Sequence, residues 1–221
     1  MDTPKLTSRH TDWRRQGSAI RRPVQERGRK KFEQILQVTE SFLEFREPGD
    51  ISIYDIAYSL NTAPPSVYHF FPDVSLVFVA LAERYLQQIT EVCAVGSATI
   101  FVRWETLLDA YFDRVLMLYR TRPAMRKVLL GLGYTPEIRR LDIDNNRIAA
   151  NYLLEALRSH FVVPEVSDLC DRVSESISIS DSIWTLHLHR HGEISELARQ
   201  RASDARNAYL KNILPDMMPR R

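Results

Sequence analysis

The sequence predicts an all-α protein of about nine helices, and three observations support this fold class. Apolar residues recur at the three- and four-residue spacing of an amphipathic helix through most of the chain. No stretch alternates between apolar and polar residues, as a half-buried β-strand would, for more than a few positions. Prolines and glycines interrupt the helical patterns where one helix is expected to end and the next to begin.

The N-terminal region differs from the rest of the chain in its charge. Residues 1–31 hold ten basic and three acidic side chains, a net charge of +7, whereas the remaining residues carry −5. Residues 1–24 also lack apolar periodicity, so we expect them to form a mobile arm. A basic arm on a mildly acidic body predicts a polyanionic partner at one end, and the alternative is a solvated tail that favours solubility.

Two helices are expected at the start of the folded part. The first begins near Glu26 and ends before the Pro-Gly-Asp sequence at 48–50. Ser52 and Asp55 match the S-x-x-D capping signal, which predicts a second helix that runs to about Leu60.

A tight turn and a very short third helix follow. Asn61 suits a left-handed turn position, because its side chain tolerates a positive φ better than most. Proline is favoured in a first helical turn, so the third helix begins at Pro64, and Pro72 ends it. Asp73 is the expected N-cap of a fourth helix. Its predicted inward residues are Val77, Leu81, Tyr85 and Ile89.

Five further helical segments account for the rest of the chain. They are a stripe from 101 to 119 ended by Pro123, a short segment 123–132, and three longer helices over about 136–164, 164–191 and 193–214. Gly192 and Pro215 are the expected stops of the last two. For the 136–164 helix the predicted inward residues are Ile138, Leu141, Ile148, Tyr152, Leu153, Ala156 and Leu157. For the last helix they are Ile194, Leu197, Ala198, Ala205, Ala208, Tyr209 and Ile213.

Two short helices joined by a tight turn and preceded by a basic segment describe a helix-turn-helix. Ile56, Ala57, Leu60 and Val67 would lock its two helices together. Residues 26–91 resemble the N-terminal domain of the tetracycline-repressor (TetR) family of bacterial regulators. The resemblance is carried by Ile56-Ala57 and by the Ser-Val-Tyr-His-Phe-Phe-Pro run at 66–72.

The resemblance implies a homodimeric transcriptional regulator, most commonly a repressor, that reads a near-palindromic DNA operator. It implies a basic arm (1–24), a helix-turn-helix domain (25–72) and a helical ligand-binding and dimerisation domain (73–221). An unidentified small apolar or aromatic effector would release the DNA. Residues 164–214, with small side chains mixed into their apolar rows, are the expected dimer interface, although these small residues would also suit packing within one subunit.

The expected DNA contacts fall into two groups. Basic side chains next to the helix-turn-helix would neutralise phosphates, and the resemblance adds near-base contacts from 65, 66 and 69 and phosphate contacts from 52 and 68. The complete set is Arg21, Arg22, Arg27, Arg29, Lys30, Lys31, Ser52, Pro64, Pro65, Ser66, Tyr68 and His69. Ala63, Pro65 and Val74 replace residues usual in the family. The alternative is therefore a helical homodimeric interaction protein that has lost specific DNA binding.

Aromatic and methionine side chains concentrate in the C-terminal part, which favours an apolar ligand pocket or simply a core. The candidate pocket residues are Trp104, Leu108, Tyr111, Phe112, Val115, Tyr119, Met125, Tyr152 and Trp184. Arg103, Asn145 and Asn146 are candidates to orient a polar group of the ligand.

Other classes of protein are not favoured. No apolar run approaches the roughly 18–20 residues of a membrane span, and no apolar segment follows the N-terminal charges, so we expect a cytoplasmic protein. No catalytic or cofactor-binding motif occurs, which argues against an enzyme. His187, His189 and His191 have partly the spacing of metal ligands, but their place at a helix C-terminus favours a role as partners of the helix dipole.

Overall fold

The computed structural model describes residues 20–96, 99–131 and 135–221, and these residues form nine α-helices and no β-strand. The predicted all-α fold is confirmed. A 3-10 turn at Pro48–Asp50 follows the first helix. The helices are α1 (Glu26–Leu43), α2 (Ile53–Ser59), α3 (Pro64–Tyr68), α4 (Val74–Ala94), α5 (Trp104–Thr121), α6 (Pro123–Leu129), α7 (Pro136–His160), α8 (Leu169–His191) and α9 (Glu196–Leu210). None of these helices is long and apolar enough to cross a membrane.

Local signals in the sequence set the ends of these helices. The Ser52 hydroxyl accepts the Asp55 backbone N–H, and the Asp55 carboxylate accepts the Ser52 backbone N–H, which completes a capping box. Asn61 has a φ of 47°, and Asp73 caps α4. Gly192 ends α8 with a φ of 74°. All of these features confirm the predictions made for them.

The segment just before α1 is docked on the helix-turn-helix. Ile20 is buried, and the Arg21 backbone N–H donates to the Phe70 carbonyl at 2.9 Å. Gly28 permits this close approach, since a Cβ there would lie 2.7 Å from the Cβ of Pro23. The prediction of a mobile arm over 1–24 is therefore wrong for residues 20–24, because an apolar anchor holds them. Residues 1–19 lie outside the described part of the chain.

Helix α4 joins the N-terminal helices to the C-terminal ones. In its first half, Arg84 Nη2 lies 2.6 Å from Glu33 Oε2, and the Tyr85 hydroxyl donates to Glu40 Oε1 at 2.9 Å. Glu83 pairs with Arg22. The second half of α4 packs against α7, which in turn packs against α8. Helix α4 thus contacts both the N-terminal and the C-terminal helices.

The inward faces of α7 and α9 differ from the predicted ones. Ile148, Leu197 and Ala208 are exposed, although the pattern predicts them inward. Buried polar residues occupy the inner faces instead: Asp142, Asn145 and Asn146 on α7, and Arg206 on α9. The spacing of apolar residues predicts the wrong inward face when buried polar side chains on that face form hydrogen bonds or ion pairs with another helix.

Several small residues predicted for a dimer interface pack inside the chain. Ser176 and Ser180 on α8 and Ala198 and Ala202 on α9 are buried, and these two helices pack against each other. Close approach of α8 and α9 explains their size. The outer surfaces of the same helices carry exposed apolar side chains, Leu186 and Leu197.

Candidate functional site

Helices α1 and α3 together form a basic concave surface, which we call the basic concavity. It gathers three of the predicted phosphate-binding cations and three of the predicted α3 residues. Its lining residues are Arg27, Lys30, Lys31, Gln34, Thr62, Pro65, Ser66, His69 and Phe70. One wall of the basic concavity carries cations and the other is a short helix. This arrangement suits a nucleic acid, whose phosphates would contact the cations while its base edges contact the helix.

Packing holds α3 in this position. Val67 is fully buried, and Phe71 directly after α3 is also fully buried, with its ring 4.8 Å from the Phe32 ring on α1. With these side chains inward, Ser66 and His69 face outward and are exposed. The short helix therefore presents a hydroxyl and an imidazole to whatever enters the basic concavity.

Other residues predicted to contact DNA lie outside the basic concavity. Arg22 pairs with Glu83, and Arg21 is held through its backbone N–H. Arg29 lies along a neighbouring shallow groove that also contains Glu26 and Glu33 and that shares Lys30 and Gln34 with the basic concavity.

Ser52 caps α2 in the structure. Its hydroxyl donates to Asp55 Oδ2 at 2.5 Å and accepts the Asp55 backbone N–H. Both hydrogen-bonding functions of the hydroxyl are therefore already used within the capping box.

Pro64 and Tyr68 lie on another side of α3. Pro64 borders a groove with Tyr54 and Tyr58, and the Tyr68 ring meets the Tyr54 ring edge-on at 6.4 Å. Tyr68 remains exposed, so its hydroxyl is accessible from solvent.

Gln34 and Thr62 belong to the basic concavity but are not among the sequence predictions. Gln34 lies three residues beyond Lys31, so one face of α1 carries both. This spacing is a signal that could have identified Gln34. Thr62 depends on how the turn after α2 folds against α1, which no local pattern specifies.

A second candidate site is an interior cavity between α4, α5, α7 and α8. Apolar and aromatic side chains form most of its wall, and four polar side chains of α7 and α8 complete it. The lining residues are Leu86, Ile89, Cys93, Tyr111, Phe112, Val115, Tyr119, Asp142, Asn145, Asn146, Ala149, Leu153, Ile177, Asp181 and Trp184. Its volume is about 30 Å3, which is room for about two water molecules.

Five of the nine predicted pocket residues line this cavity: Tyr111, Phe112, Val115, Tyr119 and Trp184. Trp104, Leu108, Met125 and Tyr152 do not line it. Trp104 is buried elsewhere, with its Nε1–H donated to the Pro215 carbonyl at 2.9 Å, and Leu108 and Met125 are fully buried core residues. Tyr152 is half-buried on α7. The apolar residues of α5 are therefore divided between the core and the cavity wall.

Of the candidate polar residues, Asn145 and Asn146 line the cavity, whereas Arg103 does not and pairs with Glu105. Asn145 Oδ1 accepts the Thr90 hydroxyl at 2.7 Å, and Asn146 Nδ2 donates to Ser178 Oγ at 3.4 Å. Cys93 also lines the cavity, and burial raises the pKa of its thiol to about 11, so the thiol is protonated at neutral pH.

Two carboxyl groups stand where the cavity meets a wider surface basin. Asp142 and Asp181 line both the cavity and this basin, which has a volume of about 520 Å3 and also contains Arg139 and His189. Arg139 Nη1 lies 3.2 Å from Asp142 Oδ2. Burial, together with the nearby Asp142 carboxylate, raises the pKa of Asp181 well above its ordinary value. The sequence offers no sign of these acids, because isolated acids on a helix usually face solvent.

His187 and His191 at the end of α8 line neither site, whereas His189 lines the basin. The His187 and His191 rings are 5.4 Å apart, and His187 Nε2 lies 3.5 Å from Arg201 Nη1. Burial and the neighbouring Arg201 cation lower the pKa of His187. Within the described ranges, no three His, Cys, Asp or Glu side chains come close enough together to hold a metal ion.

The C-terminal part of the chain is similar to a known protein family. Residues 102–196 match the family model described as the tetracyclin repressor-like C-terminal domain. No curated protein matches the chain in sequence.

Solved structures extend this comparison to most of the chain. A TetR-family transcriptional regulator from Streptomyces coelicolor shares 20% identity and covers 83% of this chain and 97% of its own, with a TM-score of 0.62. A TetR regulator from Rhodococcus sp. RHA1 shares 16% identity, with 86% and 99% coverage and a TM-score of 0.62. SmeT, the repressor of the Stenotrophomonas maltophilia multidrug efflux pump SmeDEF, shares 16% identity, with 84% and 91% coverage and a TM-score of 0.57.

The family model thus matches the C-terminal part of the chain, and the solved structures share the fold of most of it. The resemblance to the TetR family is confirmed, and the chain has the fold of that family's transcriptional regulators.

Proposed function

We propose that this protein is a ligand-responsive transcriptional repressor that binds a near-palindromic operator as a homodimer in the cytoplasm. A small apolar or aromatic effector releases it from the DNA. The observation that carries the proposal is the basic concavity, which Lys30 and Lys31 line together with the exposed Ser66 on α3 and His69 directly after it. Phosphate contacts from α1 would position α3 in the major groove, and α3 would read base edges there.

Each part of the chain has its own role in this proposal. Residues 25–72 read DNA, residues 73–221 bind the effector and dimerise, and the basic arm adds phosphate contacts. The exposed apolar side chains of Leu186 and Leu197 support a dimer through residues 164–214. A two-fold dimer would place two copies of α3 in successive major grooves, which is why the operator is expected to be palindromic.

The size of the cavity supports a mechanism for release. A space of about 30 Å3 is far below the roughly 300–1,000 Å3 of a pocket for a drug-sized ligand. An effector that enters from the basin must therefore push the surrounding helices apart. It shifts the population toward the expanded conformation, because it binds that conformation more tightly.

Two connections would carry this movement to the DNA-reading helices. Leu86 and Ile89 line the cavity on α4, and Arg84 and Tyr85 on the same helix hold α1. From α6, Lys127 Nζ donates to the Arg46 carbonyl at 2.9 Å. Movement of α4 or α6 therefore changes the position of α1 and, with it, the position of α3.

The proposal is tested by fluorescence anisotropy with duplex DNA from the region upstream of the protein's own gene and with a shuffled duplex. We expect tighter binding to the upstream duplex. His69→Ala should weaken that binding about tenfold, since a lost base contact costs about 1–3 kcal/mol. Binding of His69→Ala to the shuffled duplex should match that of the wild type. Equal affinity of the wild type for both duplexes would instead support the interaction protein without specific DNA binding.

A further inference from the structure

Two hydrogen-bond donors in the cavity wall have no partner within the described part of the chain. They are Asn145 Nδ2 and Trp184 Nε1. Asn145 is 8% exposed and Trp184 1% exposed, so water from the surface does not reach them. Buried polar groups in native proteins almost always have a hydrogen-bond partner, and each exception calls for an explanation.

Neither donor is free to turn toward another partner. The opposite end of the Asn145 amide is held, because Asn145 Oδ1 accepts the Thr90 hydroxyl from α4 at 2.7 Å. The Trp184 indole meets the Phe112 ring at 6.2 Å and the Tyr119 ring at 5.9 Å, both near edge-on. Packing therefore holds in place both of these side chains, which line the cavity.

The two acids at the mouth of the cavity, Asp142 and Asp181, disfavour an anionic ligand. Asp142 already faces the Arg139 guanidinium. Burial and the nearby Asp142 carboxylate raise the pKa of Asp181, which disfavours a second negative charge at the mouth. A negatively charged ligand would be repelled by the Asp142 carboxylate, whereas a neutral and mainly apolar ligand would match the apolar part of the wall.

We propose that the cavity binds an uncharged, mainly apolar molecule with a carbonyl oxygen that accepts hydrogen bonds from Asn145 and Trp184. This inference rests on the proposed function only in taking the cavity as the effector site. The oxygen satisfies the two buried donors, and the apolar remainder contacts Phe112, Tyr111 and the α4 side chains.

Three probes with the same single-ring skeleton test the proposal by isothermal titration calorimetry on the full chain. Acetophenone carries the carbonyl, α-methylstyrene replaces its oxygen with carbon, and 1-phenylethylammonium carries a positive charge. We expect acetophenone to bind about five- to tenfold more tightly than α-methylstyrene, the effect of one to two neutral hydrogen bonds. Equal binding of these two probes, no binding of either, or tightest binding of the ammonium overturns the proposal.

Variants locate the effect in the two donors. Asn145→Leu and Trp184→Phe should each lower the preference for acetophenone to about twofold or less and leave the affinity for α-methylstyrene almost unchanged. Asn151→Leu is the matched control, since Asn151 lies exposed on the same helix. If Asn145→Leu does not fold, Trp184→Phe decides alone, and an unchanged preference in it refutes the assignment.

Failure of this inference is distinguishable from failure of the proposed function. A protein that binds its upstream duplex specifically but shows no preference for the ketone remains a repressor with another ligand class. A protein that shows the preference, and loses it in the two variants, but binds no DNA specifically has the proposed cavity chemistry without the proposed function.

Discussion

Replacing Lys31 with glutamine should reduce the salt dependence of DNA binding. Lys31 is half-buried in the basic concavity, whose lining also includes Ser66 and His69, so we expect its ammonium to contact a phosphate next to α3. Each phosphate contact contributes about 0.9 to the slope of log affinity against log salt, and a dimer loses two contacts, so the slope should fall by about 1.8. Between about 50 and 200 mM salt, the variant should therefore lose roughly tenfold less affinity than the wild type.

Arg29→Gln is the matched control, because it removes the same charge from the same helix. Arg29 lies in the neighbouring groove with Glu26 and Glu33 and not in the basic concavity. Fluorescence anisotropy on the upstream duplex at four or more salt concentrations measures both slopes. An equal change in the two variants would mean that only net charge matters. An unchanged slope for Lys31→Gln would falsify the phosphate contact.

Two further predictions concern stability. Asp109→Asn should lower the melting temperature by about 6–12 °C, because it leaves the buried Arg206 guanidinium without its charged partner at a cost of about 3 kcal/mol. A similar drop for Asp113→Asn, whose partner Arg199 is more exposed, would show that burial does not set the cost. Asp55→Ala should lower the free energy of unfolding by about 1 kcal/mol at pH 7 through loss of the capping box. Hydrogen bonds from Ser52 lower the pKa of Asp55 below 3.8, so this contribution is complete above pH 3.8 and disappears as the pH falls through the lowered pKa. Urea unfolding of the wild type and the variant at pH 7 and at about pH 3 should show that the difference between their unfolding free energies narrows. A constant difference would contradict this pH dependence.

Helix ends were predictable because their causes lie within a few residues. Ser52 with Asp55, Asn61 and Gly192 each act through local hydrogen bonds or local backbone geometry. The position of α3 followed from its prolines and from Val67 in the same way. These local signals were enough to place the α1–α3 part of the basic concavity.

The cavity and the faces of α7 and α9 depended on contacts between distant residues. Arg206 reads as a solvent-facing position, yet it is buried by Asp109 and by the Phe112 ring, whose centroid lies 3.9 Å from its guanidinium carbon. Asp142 is likewise held by Arg139 at the edge of the basin. Such partners are known only once the helices are packed. Aromatic density therefore identified about a third of the residues that line the cavity, and its two carboxyl groups, Asp142 and Asp181, were not predicted.

The contacts of α4 have a consequence for protein engineering. A chimaeric sensor joined at residue 72 would separate Glu33 and Glu40 on α1 from Arg84 and Tyr85 on α4. The graft would lose two of the hydrogen bonds that hold α1 against α4. The transplantable unit is therefore residues 20–85, with the splice made beyond Tyr85.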